Sequence, residues 1–285
     1  MAESTLTLTV SCPDRVGIVA RVAGFIAQHG GWIVEANHHS DAVTRRFFMR
    51  NVIRASSLPF GAAGFGAHFA PIAREFEMQW RLRDSLRPPR VLILVSRHDH
   101  CLTDLLQRWR SGELPCEVVG VVSNHQALRA TVEWYGVPYH HVAVSPDTRA
   151  AAFAHLAALF ESTGADLGVL ARYMQILPPE LCARYPGRLI NIHHGFLPSF
   201  VGAAPYQQAF DRGVKLIGAT CHYVTERLDA GPIIEQDVIR IDHGDEVADL
   251  VRYGKDIERQ VLARGLRSHL EDRVLLNGAR TVVFR

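Results

Sequence analysis

The six residues from Val91 to Ser96 constrain the fold of this chain more than any other stretch. They read Val-Leu-Ile-Leu-Val-Ser and closely follow the proline pair Pro88-Pro89. A strand with one face in water alternates apolar and polar residues, whereas a strand covered on both faces is apolar throughout. The run therefore predicts a strand of a sheet that carries helices on both faces.

The chain after this strand alternates between helical and strand-like patterns. Helices are predicted at residues 100–110, 126–134, 148–161 and 179–185, and strands at 116–123, 138–144, 166–171 and 189–192. This alternation is typical of a doubly wound, mostly parallel, Rossmann-like sheet. Later patterns predict helices at 204–211 and 246–270, strands at 216–224 and 232–241, and a hairpin turning at Asn277-Gly278.

The first 82 residues show a different order of elements. Strands are predicted at residues 5–11, 32–37, 47–55 and 78–82, and helices at 15–29 and 60–77. Asp14 is the predicted N-cap of the first helix, because its carboxylate can accept hydrogen bonds from first-turn N–H groups. The β-α-β-β-α-β order is the ferredoxin-like arrangement.

Two short segments of this N-terminal region carry a resemblance to the ACT domains. They are Cys12-Pro13-Asp14-Arg15 with the Gly17-Ile18-Val19-Ala20 that follows, and Gly30-Gly31-Trp32-Ile33. ACT domains are small regulatory modules that usually pair with one another and often bind an amino acid. The resemblance implies that Asp14, Arg15, Gly17 and Ile18 border an effector site and that the protein is a homo-oligomer through these domains. Alternatively, Gly17 only permits close helix–sheet packing in a dimerisation platform.

Domain boundaries follow from these patterns. We expect an ACT regulatory domain at residues 1–84, a proline-stiffened linker at 85–90, and a formyltransferase-like domain at 91–285, a name that the motifs below explain.

Composition excludes several classes of function. A net charge of +2 without a basic cluster gives no support for nucleic-acid binding. The five cysteines form no C-x-x-C pair, so neither a disulfide framework nor a thiolate zinc site is indicated. No apolar stretch is long enough to span a membrane, and the first residues lack a signal-peptide pattern. We expect a cytoplasmic protein.

The predicted strand at residues 189–192 runs directly into a polar cluster. Parallel sheets present reactive groups at the carboxyl ends of their strands. Asn191 and His193 lie two residues apart and therefore share one face of the strand. His193-His194 could also bind zinc, but no third ligand lies at metal spacing, so we predict neither a metal nor a cofactor.

Three motifs together resemble the active-site signature of the folate-dependent formyltransferases. They are Asn191-Ile192-His193, Leu197-Pro198-Ser199, and the segment from His222 to Pro232 that contains Asp229-Ala230-Gly231. With the ACT-like region in front, nearly the whole chain resembles the formyltetrahydrofolate deformylase family. That resemblance implies hydrolysis of 10-formyltetrahydrofolate to tetrahydrofolate and formate, which balances the one-carbon folate pool for purine synthesis.

The chemistry of formyl hydrolysis suits three of these residues. Attack on the formyl carbon produces an oxyanion, which the Asn191 amide and the His193 imidazole can stabilise as hydrogen-bond donors. Asp229 can accept a proton from the attacking water. Asn191 could instead satisfy loop backbone, Asp229 could be a solvated loop charge, and His194 is expected to be structural.

The folate is expected to contact a second set of residues. The resemblance places the pteridine ring against Met174, Gln175 and Leu177, although this loop could be only a strand exit. His222 and Gly231 are also predicted to contact the substrate. His222 could instead be a core histidine that orients Asp229.

The turn from Ser96 to Leu102 bears on the acceptor of the formyl group. Purine-pathway transferases hold the phosphate of their acceptor in a glycine-rich loop at this position, because phosphate needs exposed N–H groups. The turn here has no glycine and adds Asp99. Water is therefore the expected nucleophile. His100 either encloses that water or is simply a first-turn helix residue.

Three positions depart from the family pattern. Gly195 stands where the deformylases have serine, and Ala204 and Ala230 are smaller than the family residues. Gly195 removes a hydroxyl and gives the loop more backbone freedom. Two alternatives to hydrolysis remain at this point: formyl transfer to a small amine, and a catalytically decayed folate or amino-acid sensor.

Overall fold

The computed structural model of the protein describes residues 3–199 and 205–285. By contacts between Cα atoms these residues divide into two compact units. The first contains residues 3–88 with Asp272–Asn277 and Thr281–Arg285, and the second contains Pro89–Glu271 and Gly278–Arg280. In the described ranges, no helix combines the length and the apolar character needed to cross a bilayer.

The first unit has the predicted β-α-β-β-α-β order. Its strands are β1 (Thr5–Pro13), β2 (Ile33–Asp41), β3 (Arg46–Arg54) and β4 (Gln79–Asp84), and its helices are α1 (Ile18–Gln28) and α2 (Gly61–Glu75). The strands form one antiparallel sheet in the order β2-β3-β1-β4. Alternate residues of β1 are buried, and they pack with both helices in one apolar core.

The first helix begins later than the sequence predicts. Gly17 has a φ of 94°, in the left-handed region, so it is the N-cap and α1 starts at Ile18. The Asp14 carboxylate does not cap the helix but accepts a hydrogen bond from the Ser40 hydroxyl. The prediction of Asp14 as N-cap was wrong, because the left-handed turn at Gly17 separates Asp14 from the first helical turn.

The second unit contains most of the remaining elements. Its strands are β5 (Arg90–Val95), β6 (Glu117–Ser123), β7 (Tyr139–His141), β8 (Leu167–Leu170), β9 (Leu189–His193), β10 (Leu216–Tyr223) and β11 (Ile233–Arg240). Its helices are α3 (His100–Arg110), α4 (Arg129–Trp134), α5 (Arg149–Ser162), α6 (Pro179–Arg184), α7 (Pro205–Asp211) and α8 (Val247–Leu270). The strand predicted at 138–144 is shorter, and Ala204, the predicted start of α7, lies outside the described residues.

These seven strands form a single, mostly parallel sheet, as the sequence predicts. Their order is β11-β10-β9-β8-β5-β6-β7. Strands β5 to β9 run parallel, whereas β10 is antiparallel to both β9 and β11. The apolar run in β5 is buried, and Leu92 and Leu94 pack with Phe153 and Leu156 of α5 on one face. This register brings β10 beside the functional strand β9.

The last two strands, β12 (Val274–Asn277) and β13 (Arg280–Val283), form the hairpin predicted at the Asn-Gly turn. Most of this hairpin belongs to the first unit, which differs from the predicted second domain of residues 91–285. Leu275 and Phe284 pack against Phe48 of β3. Because adjacent strand residues face opposite ways, Phe48 points away from the helix-covered face and needs this separate apolar cover.

Candidate active site

A pocket of about 340 Å³ lies at the carboxyl ends of β8 and β9. Seven of the predicted site residues line it: Met174, Gln175, Leu177, Asn191, His193, His222 and Asp229. The structure therefore brings together residues from three separate segments of the sequence. His100 and Gly231 are not among its lining residues in the described part of the chain.

Asn191 and His222 face one another across neighbouring strands. The register of β9 and β10 pairs these two residues, and Asn191 Nδ2 lies 3.2 Å from His222 Nε2. The other ring nitrogen, Nδ1, lies 2.9 Å from the Tyr223 carbonyl oxygen, to which it donates. Nε2 of the neutral ring then accepts an amide N–H of Asn191, so the second N–H of that amide remains available to a ligand.

Burial keeps His222 in this neutral state. The side chain is 2% exposed, and desolvation lowers its pKa below the ordinary value, although the Tyr223 carbonyl and Asp229 act in the opposite direction. A protonated ring could not accept the bond from Asn191. His222 thus fixes the amide orientation of Asn191, whereas the sequence pointed to Asp229 as the residue that it would orient.

Asp229 lies beside both histidines of the pocket. Its carboxylate oxygens are 3.4 Å from His193 Nδ1 and 3.8 Å from His222 Nε2. Burial by itself would raise the pKa of Asp229, but the hydrogen bond and charge of His193, followed by His222, lower it below the ordinary value. Asp229 is therefore a carboxylate at neutral pH. His193, which lines the pocket, has its Nε2 buried without a hydrogen-bond partner among the described residues.

The backbone around Asp229 is held in an uncommon conformation. Asp229 has a φ of 53°, which non-glycine residues rarely adopt outside functional or turn positions. A Cβ atom on Gly231 would lie 1.7 Å from the Tyr223 carbonyl oxygen, so only glycine lets the loop cross the end of β10 this closely. Gly231 therefore shapes the loop that carries Asp229, and the structure does not place it against the pocket.

The loop that follows His194 is anchored through its backbone. The Thr220 hydroxyl donates to the Gly195 carbonyl at 2.9 Å and accepts the Leu197 N–H at 3.0 Å. Gln236 Nε2 donates to the Leu197 carbonyl at 2.9 Å and to Thr220 Oγ1 at 3.0 Å. Gly195 lacks a side-chain hydroxyl, but these bonds tie the chain on either side of Phe196 to β10 and β11.

Apolar side chains form the mouth of the pocket. Met174, Ile176 and Leu228 are each more than half exposed, although they line a cavity. Ser96 positions this loop, because its hydroxyl accepts the Met174 N–H at 2.9 Å and donates to Asn124 Oδ1 at 2.7 Å.

His100 lies in a buried cluster of charged residues. Its Nε2 is 2.7 Å from Glu258 Oε2, and the Tyr206 hydroxyl donates to Glu258 Oε1 at 2.5 Å. Arg172, which lines the pocket, places Nε 3.4 Å from Glu258 Oε2. Burial opposes ionisation of Glu258, but His100 and Arg172 outweigh it and lower the pKa of its carboxyl. His100 is therefore a first-turn helix residue that also bonds to the buried carboxylate of Glu258. Arg172, and not His100, lines the pocket among the described residues.

The buried cluster is a poor metal site, although its residue types suggest one. Ligand atoms of His100, Cys101 and Glu258 lie within 4.8 Å of one another. Arg172 would oppose a cation there, and both Glu258 oxygens already have hydrogen-bond partners. His194, whose ring centroid is 5.3 Å from that of His193, is neutral at pH 7, because burial and then Arg172 lower its pKa to about 3.

The predicted effector residues lie at the turn between β1 and α1 of the first unit. Arg15 forms an ion pair with Glu77, and Ile18 is 1% exposed within the core. Gly17 caps the helix, while Asp14 bonds to Ser40. The four residues are contiguous, but the Ile18 side chain is unavailable to a ligand.

Sequence reasoning missed several residues of the site. Arg172 lines the pocket and Glu258 pairs with it, while Thr220 and Gln236 hold the loop after His194. None of the four belongs to a recognisable local motif, because only the folded sheet and α8 bring them together. A weak signal existed for Glu258, which is a charged residue on the buried stripe of a long amphipathic helix.

Comparisons with known proteins agree with this geometry. Residues 89–266 match the formyl transferase family. The formyltetrahydrofolate deformylase of Corynebacterium sp. (strain P-1) is 49% identical over 278 residues, which cover 98% of this chain and 97% of that protein.

Solved structures give the same assignment. A formyltetrahydrofolate deformylase from Pseudomonas syringae pv. tomato superposes with a TM-score of 0.98 at 59% identity, covering 100% of this chain and 96% of that one. Glycinamide ribonucleotide transformylase 1 from Symbiobacterium toebii superposes with a TM-score of 0.66 at 32% identity, covering 70% and 95%. The chain therefore belongs to the formyl transferase family and, within it, to the formyltetrahydrofolate deformylases.

Proposed function

We propose that the protein hydrolyses 10-formyltetrahydrofolate to tetrahydrofolate and formate. The observation that carries this proposal is the meeting of Asn191, His193 and Asp229 in one pocket with an apolar mouth. Two donors can face the formyl oxygen while a carboxylate lies within reach of a water. No other group is required for amide hydrolysis of this kind, and the reaction takes up one water per formyl group.

In the first step, water adds to the formyl carbon. Asp229 accepts the proton that water loses, since its lowered pKa keeps the carboxyl ionised at neutral pH. The new C–O bond places a negative charge on the former carbonyl oxygen. The second N–H of Asn191 and the Nε2–H of a His193 imidazolium, whose Nδ1–H faces Asp229, are the donors that stabilise this oxyanion.

In the second step, the carbon–nitrogen bond breaks. The folate nitrogen needs a proton as it leaves, and the proton held by Asp229 reaches it directly or through His193. The products are tetrahydrofolate and formate, the latter losing its remaining proton to solvent. Every atom of the added water is then accounted for in formate, the folate N–H and a released proton.

The apolar mouth supports folate as the substrate. We place the pteridine ring between Met174, Leu177 and Leu228, with the backbone around Gln175 supplying polar contacts to the ring edge. The bond from Met174 N–H to Ser96 holds this wall in position. Aromatic and apolar walls with a few aimed polar groups are the usual form of a small-molecule site.

The choice of water as acceptor is supported by the far wall of the pocket. Arg172 lines the pocket and is backed by Glu258, which also pairs with His100, so this part of the wall is closed by buried charged side chains. The turn from Ser96 to His100 offers no glycine backbone for a phosphate. These features favour hydrolysis over transfer to an amine.

Several finer assignments belong to the same proposal. We assign the first unit as an ACT domain that pairs in a homo-oligomer and takes an amino-acid effector near Asp14, Arg15 and Gly17. We place the reaction in the cytoplasm, where it balances the one-carbon folate pool for purine synthesis. Glycine and methionine are the effectors to try first.

A formate-release assay tests the proposal. The wild type should release formate from 10-formyltetrahydrofolate, and Asp229→Asn should reduce kcat/KM by on the order of 10²–10⁴-fold, the usual contribution of a positioned acid or base. Asp237→Asn is the matched control, since this partly exposed carboxylate of β11 pairs with Arg264 of α8, and it should retain wild-type activity. Equal rates for wild type and Asp229→Asn would refute hydrolysis at this site.

Two additions to the assay separate the alternatives. Formate release that requires an added amine, with a formylated amine as product, would indicate a transferase. Tight folate binding with no turnover would indicate a sensor, in which Gly195 marks a decayed site.

A further inference from the structure

Arg172 is the buried cation of the pocket that the proposed reaction does not use. The residue is 8% exposed and lines the pocket together with His193. Its Nε lies 3.4 Å from Glu258 Oε2, and among the described residues its Nη1 has no hydrogen-bond partner. Buried guanidinium nitrogens nearly always have an acceptor, so this one calls for an explanation.

The surrounding residues do not provide a full counter-ion. Glu258 Oε2 is shared with His100 at 2.7 Å, and Glu258 Oε1 is taken by the Tyr206 hydroxyl at 2.5 Å. The contact from Arg172 to Glu258 is therefore longer than the bonds that the same carboxylate makes with His100 and Tyr206. A guanidinium presents five donors in a rigid fork that matches a carboxylate, and the Nη1 donors have no protein acceptor among the described residues.

The backbone of Arg172 supports a ligand-binding role. Its φ is 64°, in the left-handed region that disfavours residues with a side chain. Such strain persists where the surrounding structure fixes a residue for a purpose, and it clusters at ligand sites. Asp229, the other charged residue of the pocket wall with a positive φ, is the proposed proton acceptor.

His193 supplies a second buried nitrogen without a hydrogen-bond partner among the described residues. This nitrogen is Nε2, and the residue is 4% exposed. One delocalised cation and one ring N–H in a small pocket suit a small anion with two oxygens. We propose that Arg172 and His193 form a binding site for a small monocarboxylate, which is the formate product if the proposed function is correct.

This site gives each oxygen of the product a partner. One formate oxygen is the former formyl oxygen, which already faces His193 and Asn191. The other comes from water, and it acquires its share of the negative charge when formic acid loses its remaining proton after the carbon–nitrogen bond has broken. Arg172 neutralises that charge, so the product is held by the same His193 that bound the substrate oxygen. Formate should therefore be a product inhibitor.

Titration of the folate-free protein with ¹³C-formate tests the site without relying on turnover. Binding is followed by broadening of the ¹³C resonance at pH 7. The wild type should bind formate, and Arg172→Gln should bind it at least tenfold more weakly. Arg227→Gln is the matched control, because it removes an exposed arginine from the mouth of the same pocket and should leave formate binding unchanged.

Arg172→Lys guards against loss of folding in the glutamine variant. It retains the charge but not the fork, so its affinity should lie between those of wild type and Arg172→Gln, with circular dichroism verifying the fold. Unchanged formate affinity in a folded Arg172→Gln variant, or no binding by the wild type at formate concentrations that inhibit the enzyme, would overturn the inference. Formate binding through Arg172 in a protein that releases no formate would instead count against the proposed function alone.

Discussion

Two polar clusters in the second unit differ in how tightly their members bond. The catalytic cluster, Asn191, His193, His222 and Asp229, joins its side chains by contacts of 3.2–3.8 Å. The support cluster, His100, Tyr206, Glu258 and Arg172, is centred on Glu258 bonds of 2.5 Å and 2.7 Å. His194 lies between them, with ring centroids 5.3 Å from His193 and 6.0 Å from Tyr206.

The difference follows from what each cluster must do. A buried network held by short bonds to one central carboxylate is rigid and expensive to break. A cluster with longer contacts keeps donors and acceptors that a ligand can engage, and such contacts often shorten only in the complex. The comparison suggests that the support cluster fixes one wall of the pocket, while the catalytic cluster carries the reaction.

The largest effect should come from Asn191→Ala, which removes one donor of the catalytic cluster. Loss of an oxyanion donor typically lowers kcat by about 10²-fold or more, measured as formate release. His222→Ala should cost less. If His222 acts by orienting Asn191, the double variant should be no slower than Asn191→Ala, whereas additive losses would show that His222 has its own part in the reaction.

Removing the central carboxylate of the support cluster should act mainly on stability. Glu258→Gln leaves Arg172 buried without a counter-ion, and such losses cost about 3 kcal/mol in the free energy of unfolding. Urea unfolding at pH 7 measures the loss. Glu133→Gln breaks an exposed pair with Arg129 on α4 and should cost less than about 0.5 kcal/mol. Similar losses in both variants would contradict the rigidity of the support cluster.

The loop that carries Asp229 can be disturbed without changing any polar group. Gly231→Ala would drive a Cβ atom into the Tyr223 carbonyl, and such overpacking costs about 2 kcal/mol in the free energy of unfolding. Because Asp229 moves with the loop, kcat/KM should fall more than tenfold as well. In Gly244→Ala the nearest atom to the added methyl is 3.8 Å away, so both quantities should stay at wild-type values. A fully active Gly231→Ala variant would show that the loop position is not critical.

The smallest effect concerns the pH dependence of stability through His194. Its pKa is about 3 in the folded protein and near 6.5 in the unfolded chain. Between these values the unfolded state binds more protons, so stability falls as the pH is lowered from 7 to 5. His194→Gln should reduce that fall by about 1–2 kcal/mol, measured by urea unfolding at both pH values. The same pH dependence in wild type and variant would place the titration at another residue.

Local patterns predicted much of the second unit. The apolar run of β5 and the alternation after it predicted a mostly parallel sheet, because a strand buried on both faces cannot contain polar residues. Two boundaries were missed for tertiary reasons. The first helix starts at Ile18 because of the left-handed conformation at Gly17, and the C-terminal hairpin packs on Phe48 of the first unit.

The residues in and around the pocket also divide into those that the sequence identifies and those whose position only the tertiary structure reveals. The motif residues Asn191, His193 and Asp229 could be identified from the sequence, since their residue types and order resemble a known family. The position of Gly231 against Tyr223 and the placement of His100 behind Arg172 could not, because both depend on distances between segments far apart in the chain.

By itself, the sequence determined the family, the order of strands and helices, and the residue types available for formyl hydrolysis. These follow from local periodicity and from motifs that each lie within one segment. The tertiary structure alone decided that Glu258 of α8 reaches Arg172 after β8, and that Arg172 in turn faces His193 in one pocket. Contacts of this kind arise from the packing of whole elements, for which no single segment carries a signal.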